Sequence, residues 1–305
     1  SRNFWLLVIG AIHAYVFWYG DILFPYAICG MFVYLFRRRS VVFLMLSGAV
    51  LFSVASGFYQ FSGMTMPYWP DESVEEVRQF WDPAEAELNA EIEAYRGSFG
   101  EQMEERVESA VEMQTGVFLM LMFWRVSGLM LVGMALYKSG FLTTRFPASR
   151  YLLWGVIAGV VGFALVGIGA YRIVSSGWAM EYAMFLGFQW NYWGSVLVAI
   201  AYACALQWML LKLNLSGLKR VLSTVGRFAL TNYLLQTFVA TSIFYGFGLG
   251  LFGQVSRIGQ AGIVLLIWAL NIGFSLIWSR YFRYGPFEWT WRSLTQLKPA
   301  PIRRA

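Results

Sequence analysis

The sequence is poor in charged and metal-binding side chains. Only 13% of its 305 residues are charged, and it holds one histidine, His13, and two cysteines, Cys29 and Cys204. A single histidine cannot build a zinc or haem site of the usual kind, and two cysteines inside apolar runs predict no disulfide framework. Phosphate-binding glycine loops and nucleophile-elbow patterns are also missing from the sequence. We therefore expect no metal and no permanently bound cofactor.

Long apolar runs take the place of these motifs. Hydrophobic residues make up 58% of the chain, which is more than a soluble domain of this length can bury. The pattern predicts an all-α, polytopic transmembrane helical bundle of about eight spans. The predicted spans are residues 4–19, 22–36, 41–58, 115–137, 151–171, 184–211, 225–245 and 261–279.

The first two apolar runs are short. At 1.5 Å per residue they extend about 22–24 Å, less than the roughly 30 Å of a bilayer core. One continuous helix through both would have to pass Gly20 and Pro25. We therefore expect a hairpin whose turn is at Gly20 and Asp21.

The basic residues predict the orientation. Sixteen Lys and Arg fall on one set of alternate connections and five on the other. The positive-inside rule then makes residues 280–305 a basic cytoplasmic tail, and the net charge of +6 reflects topology rather than nucleic-acid binding. Within the tail, Glu288 and Arg292 have the spacing and order of a helical ion pair.

The acidic residues concentrate in one segment. Fourteen of the 17 Asp and Glu lie between Asp71 and Glu112, and apolar residues recur there every three or four positions. We predict an acidic extracytoplasmic helical loop, residues 67–112, inserted between spans 3 and 4 of a single transmembrane domain, residues 1–305. Such a loop can be a solvated helix packed on the outer face of the bundle, or a lid or docking element over an external site.

Ionisable residues inside a membrane are costly and point to function. His13 suits a general base or a proton relay, or it forms a hydrogen bond to a neighbouring helix. Asp21 has the position of a cap for the following helix. Eight residues of continuous helix separate the two by about 12 Å, so we do not expect His13 and Asp21 to touch.

Three further polar residues are candidates for substrate binding. Arg125 lies near the middle of its span and needs an anion, either Asp21, Glu181 or a bound substrate, unless it forms a structural ion pair. Asn232 and Gln236 share one helix face and suit hydrogen bonds between helices, with packing the simpler role.

Three segments carry a resemblance to a known family. They are IGAIHAYVFWYGDILFPYAICG from Ile9, GRFALTNYLLQT from Gly226, and YGPFEWTWRSLTQLKPAPIRR from Tyr284. In this order they resemble the bacterial YeiB family, whose C-terminal half is called domain of unknown function 418. The family usually carries further N-terminal helices, so the resemblance implies that this chain is truncated there, and it implies a bacterial cytoplasmic (inner) membrane location.

The resemblance implies two functions of different classes. The family is similar to membrane acyltransferases of the heparan-α-glucosaminide N-acetyltransferase type, which use an intramembrane histidine and carry acyl groups from cytoplasmic acyl-CoA to extracytoplasmic sugars. His13 would then be the base, Asp21 would orient the site, Arg125, Asn232 and Gln236 would bind substrate, and acyl-CoA would be a co-substrate. The alternative is a transporter or exporter of a small anionic solute. Under either hypothesis the expected partners are the lipid bilayer and a small molecule, with no nucleic acid.

Overall fold

The computed structural model describes residues 2–303, and the described chain is built from helices. The all-α prediction is confirmed. The α-helices are α1 Arg2–Ile12, α2 Leu23–Tyr34, α3 Val41–Thr65, α4 Asp71–Trp81, α5 Glu85–Arg96, α6 Phe99–Glu112, α7 Phe123–Lys138, α8 Ala148–Ser175, α9 Phe188–Lys212, α10 Ser216–Arg227, α11 Ala229–Phe244, α12 Arg257–Tyr281 and α13 Pro286–Gln296. Three π-helical segments, His13–Phe17, Met113–Met122 and Glu181–Gly187, continue or precede α-helices.

Five helical stretches are long and apolar enough to cross a membrane: Val41–Tyr68, Phe99–Lys138, Ala148–Ser175, Glu181–Lys212 and Arg257–Tyr281. The other three predicted spans overlap shorter helices, Arg2–Phe17, Leu23–Tyr34 and Ala229–Phe244. The long helices expose apolar side chains, such as Val160 at 66% and Phe163 at 54%. An apolar exterior is stable against lipid but costly in water, so the helices form a polytopic membrane bundle.

Contacts between residues divide the chain into two units. The first unit contains residues 2–31, 85–118 and 216–303. Its apolar core includes the buried side chains of Leu23, Leu230 and Leu234, against which Phe287 and Trp291 pack. This core joins the N-terminal helices to α11 and α13, which are more than 200 residues away in sequence.

The second unit contains residues 32–84 and 119–215. Within it α3 packs along α7, and α8 packs along α9. Gly48 and Gly128 allow the first pair to approach closely, because a Cβ atom at Gly48 would lie 2.8 Å from the carbonyl oxygen of Gly128. Small residues at such crossings are typical of helix packing in membranes.

The acidic segment is helical, and it is divided between three helices. It forms α4, α5 and α6, with a break between α5 and α6 where Ser98 caps the N-terminus of α6 and Glu101 completes the capping box. The reciprocal hydrogen bonds satisfy free N–H groups and start a new helix. Helix α6 then continues through the π-helical Met113–Met122 into α7 as one stretch of 40 residues.

Two local predictions near the C-terminus are wrong. The predicted span 225–245 is broken at Phe228, where α10 ends and α11 begins. Glu288 accepts hydrogen bonds from the backbone N–H and the hydroxyl of Thr231, while Arg292 lies over the ring of Tyr284. The Thr231 N–H is in the first turn of α11 and has no partner within its own helix, so it attracts the Glu288 carboxylate more effectively than an exposed arginine does.

Candidate functional site

His13 and Asp21 are in direct contact, contrary to the prediction from helical spacing. The Nδ1 atom of His13 lies 2.8 Å from Oδ1 of Asp21. The helix does not continue past His13 in α form: residues His13–Phe17 form a π-helical turn, Trp18 is extended, and the chain reverses at Tyr19 and Gly20. The reversal places Asp21 beside the helix that it has just left, so the distance along a continuous helix does not apply.

The capping role predicted for Asp21 is confirmed. Its Oδ2 atom accepts a hydrogen bond of 2.7 Å from the backbone N–H of Phe24 in the first turn of α2. Gly10 makes room for this arrangement, because a Cβ atom there would lie 2.9 Å from Oδ2 of Asp21. One carboxylate therefore both caps α2 and holds His13.

Tyr233 of α11 supplies a third donor to the same carboxylate. Its hydroxyl donates to Oδ1 of Asp21 at 3.2 Å and accepts from the backbone N–H of Ile22 at 3.1 Å. An ionised carboxylate can only accept hydrogen bonds, and three donors converge on Asp21. With Asp21 ionised, Nδ1 of His13 is the donor to it, and in the neutral imidazole the lone pair is then on Nε2.

The free nitrogen of His13 faces a hydroxyl group. Its Nε2 atom lies 3.1 Å from Oγ1 of Thr237, one helical turn beyond Tyr233 on α11. Relative exposures of 2% for His13, 5% for Asp21 and 6% for Thr237 show that water is largely excluded from the three side chains. The arrangement can transfer a proton from a hydroxyl to an imidazole that a carboxylate orients.

A cavity of about 780 Å³ lies beside this cluster in the first unit. Its lining includes Trp18, Glu91, Gln236, Thr237, Phe244 and Ile263. Thr237 is the member of the cluster that reaches the cavity wall. Apolar side chains dominate the wall, and among its described residues Glu91 is the one acidic or basic side chain that could carry charge near neutral pH. Burial, and secondarily the charge of Glu105, raise the pKa of the Glu91 carboxyl.

The structure separates the two amides predicted to bind substrate. Gln236 lines the cavity. The side-chain nitrogen of Asn232 donates to the Val225 carbonyl at 3.1 Å and to the hydroxyl of Ser275 at 2.9 Å, which joins α11 to α12. The packing role proposed for Asn232 therefore accounts for its described contacts.

Arg125 belongs to the second unit. Its Nη2 atom donates to Oγ of Ser195 at 3.1 Å, and its guanidinium lies 4.5 Å from the centre of the Tyr192 ring. Glu181, one of the anions expected to pair with it, instead lies 3.5 Å from Arg78. Among the described residues Arg125 thus contacts a hydroxyl and an aromatic face, and its binding to a substrate stays a prediction.

Tyr233 and Thr237 were missed by sequence reasoning. Both lie within GRFALTNYLLQT, directly after Asn232 and Gln236, and they are themselves four residues apart. The sequence does contain a signal for them, because Tyr233 and Thr237 form a second pair of polar side chains on an adjacent face of an apolar helix. Arg106 was also missed: it is fully buried and donates to the carbonyl of Val16, which fixes the π-helical turn after His13.

The fold and this buried polar cluster define a multi-pass helical membrane protein with a buried histidine–carboxylate pair. The model of the family described as protein of unknown function (DUF418) matches residues 136–298. The chain belongs to this family.

Comparisons with individual proteins agree with the family match. The uncharacterized protein YeiB of Escherichia coli K12 is 33% identical over 313 aligned residues, covering 99% of this chain and 76% of the relative. The uncharacterized protein YxaH of Bacillus subtilis 168 is 31% identical over 313 aligned residues, which cover 98% of this chain and 72% of the relative. An uncharacterized 39.9 kDa protein of Bacillus acidopullulyticus is 35% identical over 97 aligned residues, which cover 31% of this chain and 28% of the relative. No solved structure matches the chain.

Proposed function

We propose that this membrane protein is an acyltransferase that moves an acyl group from an acyl thioester to a hydroxyl or amine acceptor. His13 is the general base, and Asp21 holds its imidazole in the Nδ1-protonated form. Transfer of a proton to a positioned histidine is the chemistry that an attacking hydroxyl or amine requires.

The hydrogen bonding of His13 on both ring nitrogens carries this proposal. Nδ1 meets a carboxylate at 2.8 Å and Nε2 meets a hydroxyl at 3.1 Å. A base needs a group that orients one ring nitrogen and a proton source at the other, and the contacts of His13 supply both. Tyr233 and Phe24 support the orienting carboxylate.

The cavity beside Thr237 favours acyl transfer over transport of an anion. Its wall is mainly apolar, which suits an acyl chain, and none of its described lining residues is a Lys or Arg that would bind an anionic solute. Gln236 is the one predicted substrate-binding residue that reaches this wall, and its amide suits a carbonyl or hydroxyl group of the substrate.

The sequence and the relatives support the proposed donor and location. Acyl-CoA, as a co-substrate, is the thioester that a cytoplasm would supply, and the acceptor would lie on the extracytoplasmic side. The basic tail at residues 280–303 supports a cytoplasmic C-terminus under the positive-inside rule. The bacterial sources of the relatives support the cytoplasmic (inner) membrane as its location.

Reconstituted protein tests the proposal. Proteoliposomes receive acetyl-CoA labelled in the acetyl group together with glucosamine or glucose, and the products are separated from the donor. We expect labelled sugar with the wild-type protein and at least about 100-fold less with His13→Ala, since general bases contribute about 10²–10⁴-fold. Asp82→Asn, which alters an exposed acid, is the control for changes in surface charge.

Two results would contradict the proposal. Acetyl transfer by His13→Ala at the wild-type rate would remove the histidine from the chemistry. Movement of labelled solute across the membrane without any covalent change would instead indicate the transporter alternative.

A further inference from the structure

Thr237 lies between the buried base and the cavity. It lines the cavity wall, while His13 and Asp21 lie behind it with 2% and 5% exposure. Of the three side chains, Thr237 is therefore the one that a donor in the cavity contacts. Direct activation of a separate acceptor by His13 would require Thr237 to give up its position at Nε2.

The three side chains have the order and the spacing of a nucleophile, its base and the group that orients the base. Oγ1 of Thr237 is 3.1 Å from Nε2 of His13, and Nδ1 of His13 is 2.8 Å from Oδ1 of Asp21. Both distances lie within hydrogen-bond reach, which is the geometric requirement for activating a hydroxyl nucleophile. Three separate places in the sequence supply the groups, at positions 13, 21 and 237.

The competing role of Thr237 is a local helix contact. Its Oγ1 atom also lies 3.4 Å from the backbone carbonyl of Tyr233, a contact that helical threonines often make. One hydroxyl proton cannot serve both partners. The contact with Nε2 of His13 is shorter, and the Nδ1-protonated imidazole needs a donor there.

We propose that Thr237 is the catalytic nucleophile and carries the acyl group as an ester between donor and acceptor. This inference rests on the acyl transfer proposed above and adds a covalent intermediate to it. The substrate class is therefore a reactive acyl thioester, which transfers its acyl group to the enzyme before the acceptor has to bind.

Each half-reaction balances without an oxidant or a reductant. In the first, Oγ1 of Thr237 bonds to the acyl carbon, His13 takes the hydroxyl proton on Nε2, and the carbon–sulfur bond breaks. The leaving thiolate then takes that proton from His13. In the second, the acceptor oxygen or nitrogen attacks the ester carbon, His13 takes the acceptor's proton, and the carbon–Oγ1 bond breaks. The proton returns to Oγ1, which restores the enzyme.

Exchange between acetyl-CoA and labelled free CoA tests the intermediate without knowledge of the acceptor. An acyl-enzyme releases CoA before any acceptor binds, so the wild-type protein in proteoliposomes should convert labelled CoA into labelled acetyl-CoA in the absence of sugar. Acid quenching and mass spectrometry should find one acetyl group on the peptide that contains Thr237.

Variants locate the label. Thr237→Ala should show no acetylated peptide and at least about 100-fold less exchange, whereas Thr237→Ser keeps the hydroxyl and should retain both. Thr115→Ala is the matched control, because Thr115 is an exposed threonine of the same unit that bonds to a backbone carbonyl one turn earlier. It should leave exchange and label unchanged.

The outcomes separate this inference from the proposed function. Acetyl transfer to sugar by the wild-type protein without CoA exchange or a labelled peptide would overturn the covalent intermediate and leave the acyltransferase intact. Normal transfer by Thr237→Ala would do the same. Absence of transfer, exchange and label in a folded wild-type protein would contradict both. If Thr237→Ala does not fold, the label on the wild-type protein and on Thr237→Ser decides.

Discussion

The imidazole of His13 donates from Nδ1 to the carboxylate of Asp21 at 2.8 Å, across a reversal of the chain that lies within the first unit. The same carboxylate caps α2 through the N–H of Phe24. Orientation of the histidine and the start of a helix therefore depend on one side chain. Mutations around Asp21 can test its contact with His13 and its cap of α2 separately, because some remove a hydrogen bond to the carboxylate and others alter only the packing around it.

Removal of the Tyr233 hydroxyl should weaken catalysis without loss of the fold. Tyr233→Phe keeps the ring against His13 but removes one of the three donors to Asp21. A hydrogen bond to a charged group contributes about 1.5–3 kcal/mol, so acetyl transfer should fall by about tenfold or more. Initial rates in proteoliposomes measure this, and Tyr26→Phe on α2 is the control. An unchanged rate would show that Tyr233 does not support the carboxylate.

A methyl group at Gly10 should disrupt the cluster by steric overlap. Its Cβ atom would lie 2.9 Å from Oδ2 of Asp21 and close to the backbone of Phe24. Overpacking of this kind costs about 1–3 kcal/mol, so Gly10→Ala should lower the thermal unfolding temperature in detergent. Gly273→Ala is the matched control, because nothing lies within 4 Å of a Cβ atom at Gly273 in α12. Equal unfolding temperatures for the two variants would contradict this packing.

The stability of the protein should depend on the ionisation of Glu91. Burial, with the charge of Glu105, raises the pKa of the Glu91 carboxyl above its unfolded value, so the folded protein favours the protonated form. Stability should therefore increase as the pH falls from neutral through the raised pKa, with the full gain below about pH 4.3, the ordinary value. Glu91→Gln removes this dependence, and its unfolding temperature should exceed that of the wild type most at neutral pH.

Glu93→Gln controls for the loss of one acidic charge in the same helix. Glu93 is exposed, so its replacement should change the unfolding temperature by the same small amount at each pH. If the unfolding temperatures of Glu91→Gln and Glu93→Gln change with pH in the same way from pH 4 to pH 7.5, burial of the ionised Glu91 carboxylate does not destabilise the protein.

The cavity should determine which acyl chains are accepted. Ala240 lines it one turn beyond Gln236, and Ala240→Phe would fill part of the volume of about 780 Å³. Octanoyl transfer should then fall on the order of tenfold more than acetyl transfer, because a shortened pocket discriminates by the groups it excludes. Val239→Phe, at the adjacent position, which is not among the lining residues, is the control. Equal losses for both chain lengths would place the acyl group elsewhere.

Sequence reasoning succeeded where one residue or one helix decides the result. Apolar runs predicted the helical membrane fold, and the preference of Asp for helix starts predicted the cap at Asp21. These properties are local, and they do not depend on which helices later become neighbours.

Sequence reasoning failed where the chain departs from a regular helix or where segments distant in sequence come into contact. The π-helical turn at His13–Phe17 and the reversal after it bring His13 to Asp21, and no spacing rule for α-helices anticipates them. Thr237 becomes relevant through packing across 224 residues of sequence. Thr237 has the features of an ordinary helical threonine until the π-helical turn His13–Phe17 is placed beside α11. The predicted ion pair between Glu288 and Arg292 was wrong for a related reason, because Thr231, which is distant in sequence, offers the Glu288 carboxylate a better donor.

A double-mutant cycle on His13 and Asp21 tests the central claim most directly. Acetyl transfer from labelled acetyl-CoA to sugar is measured for the wild type, His13→Gln, Asp21→Asn and the double variant, each with its unfolding temperature. If the two residues act as one unit, each single variant loses about 100-fold or more, and the double variant is no slower than the slower single variant. Folded single variants with near-normal rates, or losses that multiply in the double variant, would contradict a histidine base oriented by Asp21.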